Sequence, residues 1–148
     1  MSADGIRRAG PNDVGTLVEL HRAFCAADDH PFDAVRAEGA FAPLLDDDTH
    51  GVVWLVDDPR AYAVLTWGWS IEAGGPEAVL DEVFSSQRGM GVGRALIDHL
   101  IADARRRGIV RIFLETERHN ERARELYRRH GFVADDSIWM SLEFTALA

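Results

Sequence analysis

Arg88-Gly89-Met90-Gly91-Val92-Gly93 lies between a β-like run and an amphipathic helical run. The residues before it, Ala78 to Phe84, predict a strand, and those after it, Arg94 to Arg107, carry apolar side chains at helical spacing. Three glycines at alternate positions let the backbone approach a ligand closely and point successive N–H groups the same way. A helix that starts at the last glycine adds free N–H groups and its positive dipole end. The stretch therefore predicts a phosphate-binding turn that suits a pyrophosphate.

Two types of nucleotide-binding loop have glycines at this kind of spacing. The dinucleotide-binding fingerprint, Gly-x-Gly-x-x-Gly/Ala, needs a third small residue, but that position holds Arg94 or Leu96, depending on which glycine is counted first. A doubly wound sheet would also need more chain than remains. The alternative pattern, Arg/Gln-x-x-Gly-x-Gly/Ala, is matched at every fixed position by Arg88, Gly91 and Gly93. The spacing therefore favours the second pattern.

A second motif follows downstream and reads Asn-x-x-Ala-x-x-x-Tyr-x-x-x-Gly-Phe from Asn120 to Phe132. As local structure it predicts a helix that Asn120 caps and Gly131 ends. It is also similar to the second cofactor segment of the GCN5-related N-acetyltransferase (GNAT) family. The loop at Arg88 resembles the acetyl-CoA pyrophosphate loop of the same family. The resemblance covers residues 5–144.

The resemblance implies a single α/β domain over residues 1–148, with a mixed, twisted sheet of six to seven strands and about four helices. The periodicity of the chain predicts the order β-α-α-β-β-β-α-β-α-β-β. The predicted strands span 5–9, 52–56, 61–69, 78–84, 109–114, 132–134 and 137–144. The first predicted helix follows the cap at 11–13, and the other three span about 33–45, 94–107 and 120–130.

The resemblance also implies an acetyl-CoA-dependent N-acetyltransferase that transfers the acetyl group to a primary amine by direct attack in a ternary complex. In this family pattern, Tyr127 is positioned to protonate the departing thiolate of CoA, and no metal is required. The residues that the resemblance assigns to the cofactor are Val83, Phe84, Ser85, Arg88, Gly89, Met90, Gly91, Val92, Gly93, Arg94, Asn120 and Tyr127. Two alternatives stay open, namely a non-catalytic acyl-CoA sensor of the same fold and a transferase for another short acyl-CoA.

An amine attacks a thioester only when it is neutral, so an acidic side chain or a water held by one must remove a proton. Glu82 is the first candidate base because it lies in the strand expected to line the cleft, and Glu72 is the second. The turn before Arg88 is shorter than in the family, and a strand shifted by one residue would put Asp81 in the place of Glu82. The residues predicted to bind the amine are Glu72, Trp69 and Asp28.

Charge and composition agree with these expectations. The chain has 148 residues and a formal net charge of −9. Residues 1–87 hold 5 Arg against 16 Asp and Glu, whereas residues 88–111, around the glycine loop, hold 6 Arg against 2 Asp. The acidic first half would repel nucleic acid and attract cationic amines. Neither a membrane span nor a signal-peptide pattern is evident, so a cytoplasmic protein is expected.

Two further expectations concern the cysteine and the C-terminal region. Cys25 is the single cysteine and is expected to pack in an amphipathic helix rather than act as a nucleophile. Residues 137–144 place Ile138, Met140 and every second residue after it on one strand face, with Trp139 on the other. A large aromatic side chain near a sheet edge favours burial against another surface, so a homodimer is expected.

Overall fold

The computed structural model describes residues 5–144, with five strands and four helices in that range. The strands are β1 (Ile6–Arg8), β2 (Gly51–Asp57), β3 (Arg60–Ser70), β4 (Gly75–Ser85) and β5 (Arg111–Phe113). The helices are α1 (Val14–Ala27), α2 (Ala34–Asp46), α3 (Val92–Arg106) and α4 (Glu121–Arg129), and a short 3-10 turn (Pro11–Asp13) precedes α1.

The strands form one mixed sheet in the order β1-β2-β3-β4-β5. The first four pair antiparallel. β5 runs parallel to β4, as a strand reached by a helical crossover can. This parallel pairing is limited to Glu77–Val79 against Arg111–Phe113. Among the described residues, the rest of β4, from Leu80 to Ser85, therefore has no neighbour on that side, and the sheet opens there.

Alternate side chains of the central strands supply a hydrophobic core on each face of the sheet. Val53 and Tyr62 point to the face that α1 and α2 cover, whereas Val52 and Ala63 point to the face that α3 covers. The apolar stripe of α3, which includes Leu96, is fully buried against the second core. The two cores fix β4 and α3 in place, and these elements carry the glycine loop between them.

The two strands predicted at the C-terminal end are wrong. Residues 132–144 have no regular secondary structure, although Ile138, Met140, Leu142 and Phe144 recur at every second position. The exposed apolar side chains of this segment are Val133, Ile138, Trp139, Met140, Leu142 and Phe144. An alternating pattern becomes a strand only where a neighbouring edge takes its hydrogen bonds, and within residues 5–144 no strand pairs with it. The α/β fold agrees with the prediction, and the described sheet has five strands rather than six or seven.

None of the helices described within residues 5–144 has the length and apolar character that crossing a lipid bilayer requires.

Candidate active site

A cleft of about 1060 Å³ opens where β4 and β5 part. Its walls are the end of β4, the glycine loop, the start of α3, the segment after β5 and one face of α4, with the end of α1 at its mouth. Every residue predicted to bind the cofactor lines it: Val83, Phe84, Ser85, Arg88, Gly89, Met90, Gly91, Val92, Gly93, Arg94, Asn120 and Tyr127. Asp28, Asp81 and Glu82 line it as well. Two segments far apart in sequence therefore contribute to one cleft.

The glycine loop has the backbone shape that its sequence predicts. Gly89 and Gly91 have φ values of 80° and 73°, in the left-handed region that favours glycine. A Cβ built on either residue would meet no atom within 4 Å, so their side of the loop is open space. Gly91 is the N-cap of α3, and no side chain caps this helix end within the described residues. Its first N–H groups are therefore free for a ligand.

This end of the cleft fits a pyrophosphate. Free N–H groups at a helix start and the positive end of the helix dipole attract anions. Arg88 and Arg94 line the same part of the cleft and add positive charge. Ser85 holds the turn before the loop, because its hydroxyl donates to the carbonyl of Gln87 at 2.8 Å and accepts from the Gln87 amide at 3.3 Å. These two contacts hold the shortened turn before Arg88.

Tyr127 lies on α4 and faces the cleft from the side opposite β4. Its ring is half-buried against the α3 core and is 5.7 Å from the ring of Phe132. Burial, helped by the negative charge of Asp28, raises the pKa of the Tyr127 hydroxyl above its usual range. The Tyr127 hydroxyl therefore stays protonated at neutral pH. The Asn120 side chain accepts a hydrogen bond from the Ala123 amide at 3.1 Å, so the predicted N-cap is present.

Glu82 lines the cleft and carries two hydrogen bonds on one carboxylate oxygen. The Tyr62 hydroxyl donates to Glu82 Oε1 at 2.7 Å, and His21 Nδ1 lies 2.9 Å from the same atom. The β3–β4 register shifts here, with Val64 opposite Glu82 and Leu65 opposite Leu80. This bulge lets Glu82 point toward α1.

Asp81 is the bulged residue and has no register partner on β3. Its side chain is exposed to the solvent of the cleft, yet desolvation by the surrounding protein raises the pKa of its carboxyl, an effect that nearby His21 opposes. Asp81 and Glu82 therefore both line the cleft. Of the two candidate bases in this strand, Glu82 has its carboxylate fixed by hydrogen bonds.

Trp69 and Glu72, two of the residues predicted to bind the amine, lie outside the cleft lining. Trp69 pairs with Pro76 near the closed end of the β3–β4 hairpin, and its side chain is 71% exposed. Glu72 belongs to the turn of that hairpin. The cleft opens at the other end of β4, so antiparallel pairing carries both residues away from it. Of the three, Asp28 alone lines the cleft.

His21, Cys25 and Tyr62 form a network with Glu82 that the sequence did not reveal. Cys25 Sγ lies 3.4 Å from His21 Nε2, as the spacing of four residues on α1 allows. Their spacing was the only available signal, since contact with Glu82 depends on how α1 packs on the sheet. Trp139 also lines the cleft, 4.9 Å from the ring of Phe113.

The arrangement places an anion-binding end beside an acidic end. Arg88, Arg94 and the α3 start form the first, while Asp28, Asp81 and Glu82 form the second. A molecule with a phosphate group and a reactive carbonyl could span the cleft and meet a cationic amine at the acidic end. In residues 5–144, no group of three or more His, Cys, Asp and Glu side chains is arranged to hold a metal ion.

Comparison with known proteins points to one family. A family model described as Acetyltransferase (GNAT) family matches residues 16–132. Mycothiol acetyltransferase from Beutenbergia cavernae is 36% identical over 87 residues, which are 55% of this chain and 28% of that protein. The 5-NmdU N-acetyltransferase of Pseudomonas phage PaMx11 is 41% identical over 66 residues, which are 43% of this chain and 45% of that protein. The chain thus matches less than half the length of these two curated relatives.

A solved structure shares the fold over the whole chain. The integron cassette protein HFX_CASS3 from the mobile metagenome of Cole Harbour Salt Marsh superposes with a TM-score of 0.84 at 27% identity. The match covers 100% of this chain and 93% of that one.

Proposed function

This chain belongs to the GNAT family of acetyltransferases, and on that premise we propose that it transfers an acetyl group from acetyl-CoA to a primary amine. The transfer occurs by direct attack of the amine in a ternary complex. The observation that carries the proposal is the cleft between β4 and β5, with the glycine loop at one end and Glu82 at the other. Family members use acetyl-CoA, and the free N–H groups at the start of α3 suit its pyrophosphate.

The proton transfers are assigned to Glu82 on β4 and Tyr127 on α4, which both line the cleft. Glu82 accepts a proton from the bound ammonium, which frees the nitrogen lone pair. The nitrogen then forms a bond to the acetyl carbon and becomes positively charged. As the carbon–sulfur bond of the thioester breaks, the nitrogen gives up its second proton to solvent. Tyr127 donates its proton to the departing sulfur. Glu82 then passes its proton to solvent, and Tyr127 recovers a proton from solvent. The products are the N-acetylated amine and CoA with a free thiol.

We assign the acidic end of the cleft to the acceptor. Asp28, Asp81 and Glu82 would attract an ammonium group and hold it near the point where the thioester lies. The two curated relatives are a mycothiol acetyltransferase and a 5-NmdU N-acetyltransferase. A small cationic amine or a protein amine is the acceptor class that fits these charges.

An acetyl-CoA turnover screen across amine classes, with release of free thiol as the signal, tests this function. We expect amine-dependent thiol release from at least one class. Glu82→Gln should lower turnover at neutral pH by roughly 10²-fold or more. The turnover of this variant should recover at high pH, where the amine is already neutral. Glu72→Gln is the matched control, because it removes the same charge outside the cleft. Absence of CoA binding in the wild-type protein would refute the proposal. If the activity of Asp81→Asn, and not that of Glu82→Gln, is lost at neutral pH and recovers at high pH, the base is Asp81.

We also propose that the protein forms a homodimer through residues 137–144. Ile138, Met140, Leu142 and Phe144 are each more than four-fifths exposed, and an exposed alternating segment can add a strand to the sheet of a second copy. Light scattering at micromolar concentration should report about twice the chain mass of 16.4 kDa. A particle of the monomer mass in the wild-type protein would refute the dimer. The Leu142→Asp variant should have the monomer mass.

A further inference from the structure

The face of α1 toward the sheet carries a hydrogen-bonded network that family membership does not assign. His21 on α1 and Tyr62 on β3 both contact Oε1 of Glu82, at 2.9 and 2.7 Å. The three residues are separated by 20 to 61 positions in the sequence. Tyr62 is fully buried, and the side chains of His21 and Glu82 are 22% and 16% exposed. The network therefore lies at the wall of the cleft, and Glu82 alone of the three lines it.

We propose that His21 and Tyr62 are positioning residues, which hold Glu82 Oε1 so that Oε2 is presented to the acceptor amine. This inference rests on the proposed function, in which Glu82 is the base. A carboxylate oxygen has two lone-pair sites, and two donors fill them. The described residues give Oε2 no hydrogen bond, so this oxygen is free to accept one from an ammonium.

The direction of each hydrogen bond follows from the chemistry of the groups. A carboxylate only accepts, so Nδ1 of His21 carries the hydrogen that lies between the two groups. Burial and the charge of Glu82 raise the pKa of the Tyr62 hydroxyl far above its usual range, so it remains a donor. Both donors therefore persist at the pH at which an acetyltransferase would work.

Cys25 is placed to fix the other nitrogen of the imidazole. Its Sγ is 3.4 Å from His21 Nε2. Burial, with smaller contributions from Glu82 and Asp28, raises the pKa of the Cys25 thiol above its usual range. The S–H group therefore stays protonated and can donate to Nε2, which leaves Nδ1 as the nitrogen that bears hydrogen. Asp81, on the strand that carries Glu82, is also close enough to interact with His21.

Aromatic rings hold His21 in this orientation. The centroids of Phe24, Phe32 and Phe41 lie 6.0, 5.8 and 6.0 Å from that of His21. His21 could therefore have a packing role as well as a hydrogen-bonding role. The two roles require different atoms, because packing uses the ring and the hydrogen bond uses the donor at Nδ1.

Two substitutions at His21 separate these roles. His21→Phe keeps an aromatic ring among its neighbours and removes the donor. His21→Asn loses the ring but can place an amide N–H near the position of Nδ1. Tyr62→Phe removes a single hydroxyl and keeps the ring in its core. Each variant is compared with wild type for kcat, KM for the best amine found in the screen, affinity for CoA and melting temperature.

If positioning is the role, Tyr62→Phe and His21→Phe lower kcat at pH 7 by roughly 10- to 100-fold, because a displaced base costs about that much. Their affinity for CoA stays at the wild-type value, and their activity approaches wild type near pH 10, where an alkylamine is about half neutral. His21→Asn retains more kcat than His21→Phe. The opposite order, or wild-type kcat in both Tyr62→Phe and His21→Phe, would overturn the proposal.

Failure of the positioning role differs from failure of the proposed function. A wild-type protein that neither binds CoA nor releases thiol in the presence of amines refutes the function itself. A Glu82→Gln protein with full activity at neutral pH refutes the base. An inactive Glu82→Gln protein beside fully active His21→Phe and Tyr62→Phe proteins refutes the positioning role alone.

Discussion

Replacing Gly91 with alanine should separate the binding role of the glycine loop from its role in folding. Gly91 has a φ of 73° and caps α3, and a Cβ at this position would meet no atom within 4 Å. The cost to folding is therefore limited to the left-handed backbone, about 1–2 kcal/mol for a residue with a Cβ. For a chain of this length the melting temperature should fall by about 3–6 °C.

The effect on ligand binding should be larger. The new methyl group enters the open space beside the loop, where a pyrophosphate would approach the backbone. Loss of one hydrogen bond to a charged phosphate oxygen costs about 1.5–3 kcal/mol. This corresponds to roughly a 10- to 150-fold increase in the dissociation constant for CoA. Isothermal calorimetry with CoA measures the change directly, and thermal unfolding measures the stability.

Gly108→Ala is the matched control. Gly108 follows the other end of α3, has a φ of 78°, and also has open space around its Cβ position. It does not line the cleft. The two variants should therefore lose similar stability, while Gly91→Ala alone loses CoA affinity. Equal CoA affinity in both proteins would refute the assignment of the pyrophosphate to this loop.

Two other predictions concern proton transfer and pH. Tyr127→Phe keeps the packed ring, so CoA affinity should hold while kcat falls by roughly 10²-fold; full activity in stopped-assay thiol release would return Tyr127 to a packing role. Burial raises the pKa of Cys25, Tyr62 and Tyr127 in the folded protein. The unfolded chain therefore loses these protons first, and the free energy of unfolding should fall as pH rises above about 8.5 for the thiol and about 10 for the hydroxyls. Thermal unfolding between pH 7 and 10.5 checks this, and Cys25→Ala should remove the part that begins near pH 8.5.

The elements that depend on local signals could be predicted from the sequence. The glycine loop, the start of α3 near Gly93 and the Asn120 cap were predicted within a few positions, because caps and positive-φ glycines are set by neighbouring residues. The strands β2, β3 and β4 were also predicted to within three residues of their observed bounds, from the apolar pattern of each run. The prediction that the two cofactor segments form one site came from the family resemblance and not from these local signals.

The remaining features depend on contacts between distant residues. Residues 132–144 have a strand-like pattern, but the pattern does not supply the neighbouring edge that a strand needs. Trp69 and Glu72 are close to Glu82 in sequence, yet the direction of the hairpin carries them to the closed end of β4. The bulge that directs Glu82 toward His21 is a property of the β3–β4 register, which sequence alone does not fix.

The short parallel pairing between β4 and β5 has a consequence for the order in which the protein assembles. The strands from β2 to β4 are joined by tight turns and pair with chain neighbours, so they form local contacts that close early in folding. β5 must instead find Glu77–Val79 across the length of α3, with three residue pairs to hold it. α4 follows β5 and has no fully buried residue. We therefore expect the wall that carries Tyr127 to dock late and to detach before the hairpins open. A molecule bound across the cleft would join the early-folding and late-folding parts of the chain.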